Sequence, residues 1–330
     1  LTASGEAYDP GRPIGIQGNS FRIMDFGTNM TGFAGIGIRC TAPVRLYLTF
    51  DEILTGMDVD FKRLGTVNAI GCEFGPGTHA LESFEPYTFR YLKILVLEGS
   101  CDVERVYLRE LANPDAGRAT FASSDPRLNR VFEAARETFC QNAVDIFMDC
   151  PSRERAGWLC DSFFTARTAF DLTGNTSIEK NFLENFLLPE KFEHLPAGML
   201  PMCYPSDHND GVFIPNWALW FVIELDEYLA RSGDRELVDA LKPKVLALFD
   251  YFRPFRNSDG LLEKLQSWVF VEWSKANGFV QDVNYPSNML YAGALSSAAK
   301  MYNLPGLERE ASSVREAIRK QSFAGEFLRI

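Results

Sequence analysis

The pattern of hydrophobic and polar positions changes character near residue 115. Before it, short runs rich in Val, Ile, Leu, Tyr and Phe are broken by Gly and Pro. In Val44–Phe50 the residues Val44, Leu46, Leu48 and Phe50 alternate with Arg45, Tyr47 and Thr49. A period of two is that of a half-buried strand. Residues 35–40 and 90–97 are further short apolar runs, and Gly75-Pro76-Gly77 and Asn113-Pro114 are breakers between runs. Several short strands joined by turns predict an antiparallel β-sandwich of jelly-roll type over residues 1–118.

After residue 120 the spacing becomes helical. Ser123-Ser-Asp-Pro126 reads as a cap followed by Pro in a first turn. Leu128, Val131, Phe132, Ala135 and Phe139 then recur three or four residues apart. Six more helical stretches follow, at 161–172, 177–188, 215–231, 243–255, 285–302 and 307–320. Asn216 is a candidate cap for the fourth stretch of the seven. Gly174, Gly233 and Gly260 stand where helices stop. Helices of similar length alternating with loops suit a bundle or an α/α toroid over residues 119–330. A six-hairpin toroid needs twelve helices, so seven make either a smaller fold or part of one.

Composition narrows the function. A net charge of −11 repels phosphate backbones, and no basic patch offsets it, so a nucleic-acid partner is not expected. No apolar run reaches the ~20 residues of a membrane helix. Seven cysteines without a CxxC and three histidines argue against a structural zinc site, and buried thiols are the expectation. No Gly-rich phosphate loop and no GxSxG elbow occurs. The sequence leaves the oligomeric state open.

Reactive residue types concentrate in Asp149-Cys-Pro-Ser-Arg-Glu-Arg-Ala-Gly-Trp-Leu-Cys-Asp161, between two helical stretches. Arg153 and Arg155 flank Glu154 and can hold carboxylates ionised or bind an anion. An ion-paired turn plugged by Trp158 is the plainer alternative. All five tryptophans, Trp158, Trp217, Trp220, Trp268 and Trp273, fall after the strands. Indoles beside carboxylates suit a sugar: ring faces stack and hydroxyls bond to Asp, Glu and Arg. Core packing is the competing account of each tryptophan, and of Trp220 above all. Glu272 sits between apolar neighbours in Trp268–Trp273, which suits a proton donor. Asp207 and His208 form a weaker acid–base or metal candidate.

The thirteen-residue segment resembles the signature D-C-P-x-R-D-E-R-x-G-W-x-G-D of bacterial α-L-rhamnosidases of glycoside hydrolase family 78. Asp25-Phe-Gly-Thr-Asn-Met-Thr-Gly32 and Phe84-Glu-Pro-Tyr-Thr-Phe-Arg-Tyr91 resemble motifs of the β-sandwich that precedes the family's catalytic domain. Pro215-Asn-Trp217 is similar to its P-D-W, and Phe270-Val-Glu-Trp273 to its F-G-D-W. The resemblance implies an (α/α)6 barrel after the sandwich and an inverting hydrolase that removes terminal α-L-rhamnose. It implies Glu154 as the general acid. It implies that Asp149, Arg153, Trp158, Asp161, Trp217, Glu272 and Trp273 bind the sugar. It implies a carbohydrate partner, no cofactor and no metal. It places the general base beyond Ile330, and favours a periplasmic or extracellular location.

Three features depart from the family pattern. Arg-Glu-Arg is one residue shorter than R-D-E-R, Cys160 stands where the family has Gly, and Glu272 replaces Asp. One added methylene moves a carboxylate by roughly an ångström, which changes the hydroxyl it grips. A six-hairpin glycosidase for another sugar therefore stays open; the base expected beyond Ile330, for which Glu272 is the candidate substitute, also leaves open a non-catalytic sugar-binding relative.

Overall fold

A computed structural model of the protein describes residues 2–3, 12–206, 208, 210–275, 277, 282–325 and 327–328. Two compact units emerge. The first is Leu1–Pro114 with Cys140–Val144 and Cys150–Arg155; the second is Asp115–Phe139 with Asp145–Asp149 and Ala156–Ile330.

The first unit holds β1 (Thr2–Ala3), β2 (Ile14–Gln17), β3 (Ser20–Cys40), β4 (Val44–Asp51), β5 (Ala69–Phe74), β6 (Gly77–Glu82), β7 (Tyr87–Glu98) and β8 (Ser100–Glu110). They form one sheet in the order β2-β8-β3-β7-β4-β5, antiparallel except for β1, with β1 and β6 added on β3. The long β3 organises it. Ser20–Gly32 pairs with β7, and Gly32–Cys40 pairs with β8. Alternate residues of β3, β4, β7 and β8 fill a single core that includes Ile36, Leu46, Phe50, Phe89, Ile94 and Val103. Two motifs meet there. Asp25 of β3 takes two hydrogen bonds from the Arg90 guanidinium of β7, at 2.7 and 2.8 Å. The same Arg90 holds the Asp25 carboxyl below its ordinary range. Phe26 meets Phe89 edge to face at 5.5 Å.

Gly32 is the hinge at which β3 changes partners, facing both Tyr87 and Glu110. A Cβ there would lie 2.3 Å from the Arg109 carbonyl oxygen, so only glycine allows β8 this close.

The second unit carries α1 (Pro126–Asn142, its last turn counted with the strands), α2 (Leu159–Thr173), α3 (Ser177–Asn185), α4 (Ala218–Ser232), α5 (Arg235–Phe252), α6 (Tyr285–Tyr302) and α7 (Pro305–Ser322). A short hairpin, β9 (Phe323–Ala324) with β10 (Phe327–Leu328), follows. α4 is central, packing on α2, α3, α5 and α6. Gly174 and Gly233 end α2 and α4 in the left-handed conformation, as expected. Gly260 does not end a helix; it closes a turn onto Asn257. α5 starts eight residues before the expected 243. Asp234 caps it by accepting from the Leu237 N–H at 3.1 Å, and Pro243 sits inside it. Among the described residues no helix is long and apolar enough to cross a membrane.

Replacing Gly32 by Ala must push β8 away from β3. The expected cost is about 1–3 kcal/mol, read as a lower Tm of the variant. An unchanged Tm would show that the sheet does not need the close approach.

Candidate active site

The motif loop is closed at its base and tied down along its length. Asp149 N–H donates to the Ala156 carbonyl at 3.1 Å, and Ala156 N–H donates to Asp149 Oδ1 at 3.2 Å. This reciprocal pair gives the Asp149 side chain a backbone to hold. Residues 150–155 belong to the strand unit. There Thr88 Oγ1 donates to the Pro151 carbonyl at 2.9 Å, and Arg155 donates to the Pro86 carbonyl at 2.7 Å and to Glu85 at 2.9 Å. Arg153 forms an ion pair with Glu154, whose side chain is mostly buried.

In the helical unit, residues 157–159 run beside 202–205 as a short antiparallel ladder. Leu159 N–H donates to Met202 O at 3.0 Å and Tyr204 N–H to Gly157 O at 2.9 Å. Gly157 is required, because a Cβ would lie 2.5 Å from the Tyr204 carbonyl. The ladder sets Trp158 at the N-terminus of α2 and Asp161 in the first turn. Four tryptophans and Phe270 then form a chain of ring contacts. Trp158 meets Trp217 at 5.6 Å, Trp217 meets Phe270 at 5.4 Å, and Phe270 meets Trp268 and Trp273 at 5.2 and 4.8 Å. These contacts are steeply inclined, the favoured geometry for aromatic pairs. Trp273 is 85% exposed and Trp217 half-buried, so the chain offers indole surface to solvent. Trp158 is only 8% exposed, and its Nε1–H has no hydrogen-bond partner among the described residues. A buried donor left unpaired costs about 1–3 kcal/mol, which an acceptor on a ligand would recover. Trp220 is half-buried and packs instead on Phe163 and Phe164 of α2. A cavity of about 260 Å³ borders the chain, lined by Phe192, Met202, Cys203, Tyr204, Ser206 and His208 among others.

Glu272 is not enclosed by its apolar neighbours. It is exposed, because Val271 and Trp273 beside it also face solvent and only Phe270 turns inward. Of the acid–base candidate at 207–208, Asp207 lies outside the described residues. His208 is exposed, with its ring 5.6 Å from that of Trp158.

Two residues of this region were hidden in the pattern. Asn216 does not cap α4. It is buried, and its amide donates to the Phe270 carbonyl at 2.7 Å while accepting from the Phe270 N–H at 3.4 Å. It thereby fixes the 268–273 segment to the start of α4. Glu224 is completely buried on α4. It lies on the stripe of Trp217, Phe221, Leu225 and Tyr228, a position that signals core. Ser162 Oγ stands 2.8 Å from Glu224 Oε2 and 2.9 Å from the Leu159 carbonyl. A hydroxyl has one proton. Both contacts are satisfied when Ser162 donates to Leu159 and a protonated Glu224 donates to Ser162. Burial, with the charge of Glu179, pushes the Glu224 carboxyl well above its ordinary value. Glu224 Oε1 has no partner among the described residues. Glu179, also buried and pushed up by burial, is paired with Arg231 at 2.6 Å. Burial also pushes the Cys160 thiol up to about 12, helped by Asp161 and Glu224.

The chain is thus strands followed by helices, with a row of indoles in the helical unit and several carboxylates in the sequence Asp149–Asp161. Residues 116–328 match the family described as the bacterial α-L-rhamnosidase six-hairpin glycosidase domain, and the chain belongs to that family. An α-L-rhamnosidase of Formosa agariphila is 23% identical over 93% of this chain and 34% of its own length. Among solved structures, a GH78-family rhamnosidase of Bacillus sp. GL1 has a TM-score of 0.78 at 21% identity, covering 92% of this chain and 32% of that one. A rhamnosidase from Klebsiella oxytoca with rhamnose bound has a TM-score of 0.77 at 19% identity, covering 96% of this chain and 65% of that one. The two structures share the fold of strands followed by helices. The chain spans about a third of the length of the curated relatives it matches.

Asn216→Ala leaves the Phe270 backbone without its partner. The expected loss is about 1–3 kcal/mol, a fall in Tm of about 2–6 °C. A Tm equal to wild type would mean the segment holds its place without the amide.

Glu224 gives a pH signature. A raised native value means that no stability is lost below the ordinary glutamate range, where folded and unfolded chains are both protonated. As pH rises past that range the unfolded chain ionises while native Glu224 keeps its proton. Stability then falls by up to about 1.4 kcal/mol per pH unit until native Glu224 also titrates. Glu224→Gln removes this loss. The Tm of the variant relative to wild type should climb between pH 4.5 and 7; melting curves that stay parallel would show that Glu224 is ionised in the fold.

Proposed function

We propose that the protein is an inverting α-L-rhamnosidase, with residues 119–330 forming part of an (α/α)6 barrel. The observation that carries this reading is the family match over 116–328, together with the Asp149–Asp161 signature. Glu154 acts as general acid, protonating the oxygen that leaves the anomeric carbon. Asp149, Arg153 and Asp161 bind hydroxyls, and Trp158, Trp217 and Trp273 supply apolar ring surface; Glu272 makes a contact at the rim. The Trp158 Nε1–H, without a partner among the described residues, supports a ligand rich in acceptors, as a sugar is. Inversion requires a second carboxylate ~6.5–9.5 Å from the acid, with a water between. We place that base in the part of the fold that this chain, a third of its relatives' length, does not span. The exposure of Glu272 makes it a poor substitute.

The shortened Arg-Glu-Arg favours one second reading, a glycosidase of the same architecture acting on another sugar. A panel of p-nitrophenyl glycosides separates the two.

The decisive experiment is hydrolysis of p-nitrophenyl α-L-rhamnoside by the whole protein, wild type beside Glu154→Gln. General-acid catalysis contributes about 10²–10⁴-fold, so the variant should lose that factor in kcat. L-Rhamnose should raise the Tm of both proteins, and proton NMR should show the β anomer formed first. Wild-type turnover in the variant would remove Glu154 from the acid role, and an initial α anomer would remove inversion.

A further inference from the structure

The loop that carries Glu154 is held by more bonds than a surface turn needs, and they converge on one side chain. Arg155 has a left-handed backbone, φ 53°, uncommon outside glycine and strained for a long side chain. Its N–H closes the turn onto the Cys150 carbonyl at 3.1 Å. Its guanidinium then reaches three consecutive residues, the two before β7 and the first of that strand. It donates to the Pro86 carbonyl and to the Glu85 carboxylate, and stands 5.3 Å from the Tyr87 ring centroid. One residue further, Thr88 Oγ1 holds the other end of the loop through the Pro151 carbonyl, and is itself fixed by the Thr31 hydroxyl at 2.7 Å. Residues 85–88 thus grip both ends of a six-residue segment with Glu154 next to the last anchor.

We infer that Arg155 is the positioning residue of Glu154: the strand unit sets the pose of the acid through this guanidinium. The inference rests on the proposed role of Glu154. Physical reasoning favours positioning over stability. The Arg155–Glu85 pair is partly exposed, and such pairs contribute little to folding. A flat fork that satisfies a carbonyl and a carboxylate at once, with an aromatic ring beside it, fixes direction instead. Lysine offers a single charged point and cannot reproduce that geometry. A misplacement of about 1 Å in a catalytic group costs on the order of 10²-fold.

The test uses the whole protein and a series of α-L-rhamnosides whose leaving groups range from 2,4-dinitrophenol to methanol. A misplaced acid matters most where the leaving oxygen needs a proton most. Arg155→Ala and Arg155→Lys should lower kcat at least tenfold for the methyl rhamnoside and under threefold for the dinitrophenyl rhamnoside. KM and Tm should stay close to wild type. Glu85→Gln should show the same ranking in weaker form, and adding it to Arg155→Ala should cost nothing more. Equal losses across the series, or none, would overturn the inference. Glu154→Gln run beside them separates the two levels. If it shows the leaving-group ranking and Arg155→Ala does not, the positioning role alone fails; if neither shows it, Glu154 is not the acid.

Discussion

The acid role proposed for Glu154 depends on how residues 150–155 are fastened. Glu154 has no rigid element of its own: it sits in a turn, and turns take the conformation their anchors impose. The anchors here are main-chain carbonyls: Pro151, reached by the Thr88 hydroxyl; Cys150, reached by the Arg155 N–H; and Pro86 on the strand side, reached by the Arg155 guanidinium. Carbonyl anchors do not move with side-chain rotamers. The pleat and register of β3 and β7 therefore reach the loop through two side chains, Thr88 and Arg155. The same stretch of β7 contributes Arg90, which clasps Asp25. The two motifs of the strand unit are thus one device: Asp25–Gly32 shapes β3, and Phe84–Tyr91 pairs with it and holds the loop.

The helical unit solves a different problem, presenting indoles without letting them collapse. Tryptophans in a loop between helices would bury one another to escape water. Asn216 binds both backbone groups of Phe270, and Trp268, Phe270 and Trp273 meet at inclined ring angles on that backbone. The ladder of Trp158 with Cys203 fixes the buried Trp158 at the start of α2.

Much of this was legible in the sequence. Period-two alternation marked β4, and three- and four-residue spacing marked the helices, because one buried face dictates both. The motifs pointed to residues that the fold does join: Asp25 with Arg90, Trp158 with Trp217, Trp217 with Phe270. What stayed hidden has common physical causes. Of β3 only residues 35–40 read as a strand, yet it runs from Ser20 to Cys40 and passes through Gly27-Thr28-Asn29 with a register shift against β7. α5 reads as starting at Pro243 because proline belongs in a first turn, whereas the true cap is Asp234. Asn216 reads as a cap because an amide before a helix usually is one; its real partner is 54 residues away. Glu272 reads as enclosed because apolar neighbours in sequence need not be neighbours in space.

Glu224 is the sharpest of these cases. A leucine at its position would extend the apolar stripe of α4 and bury similar area with no charge to desolvate. On stability alone the carboxyl is the poorer choice, with one oxygen unsatisfied among the described residues and Glu179 close enough to raise it further. What leucine could not supply is the hydrogen bond to Ser162. That hydroxyl also bonds the Leu159 carbonyl, so the acid constrains the first turn of α2, the turn that follows Trp158 and contains Asp161. The stability given up at residue 224 is offset by an α2 N-terminus fixed from inside the core. A polar network of this kind specifies one arrangement of its helices where an apolar contact would tolerate several.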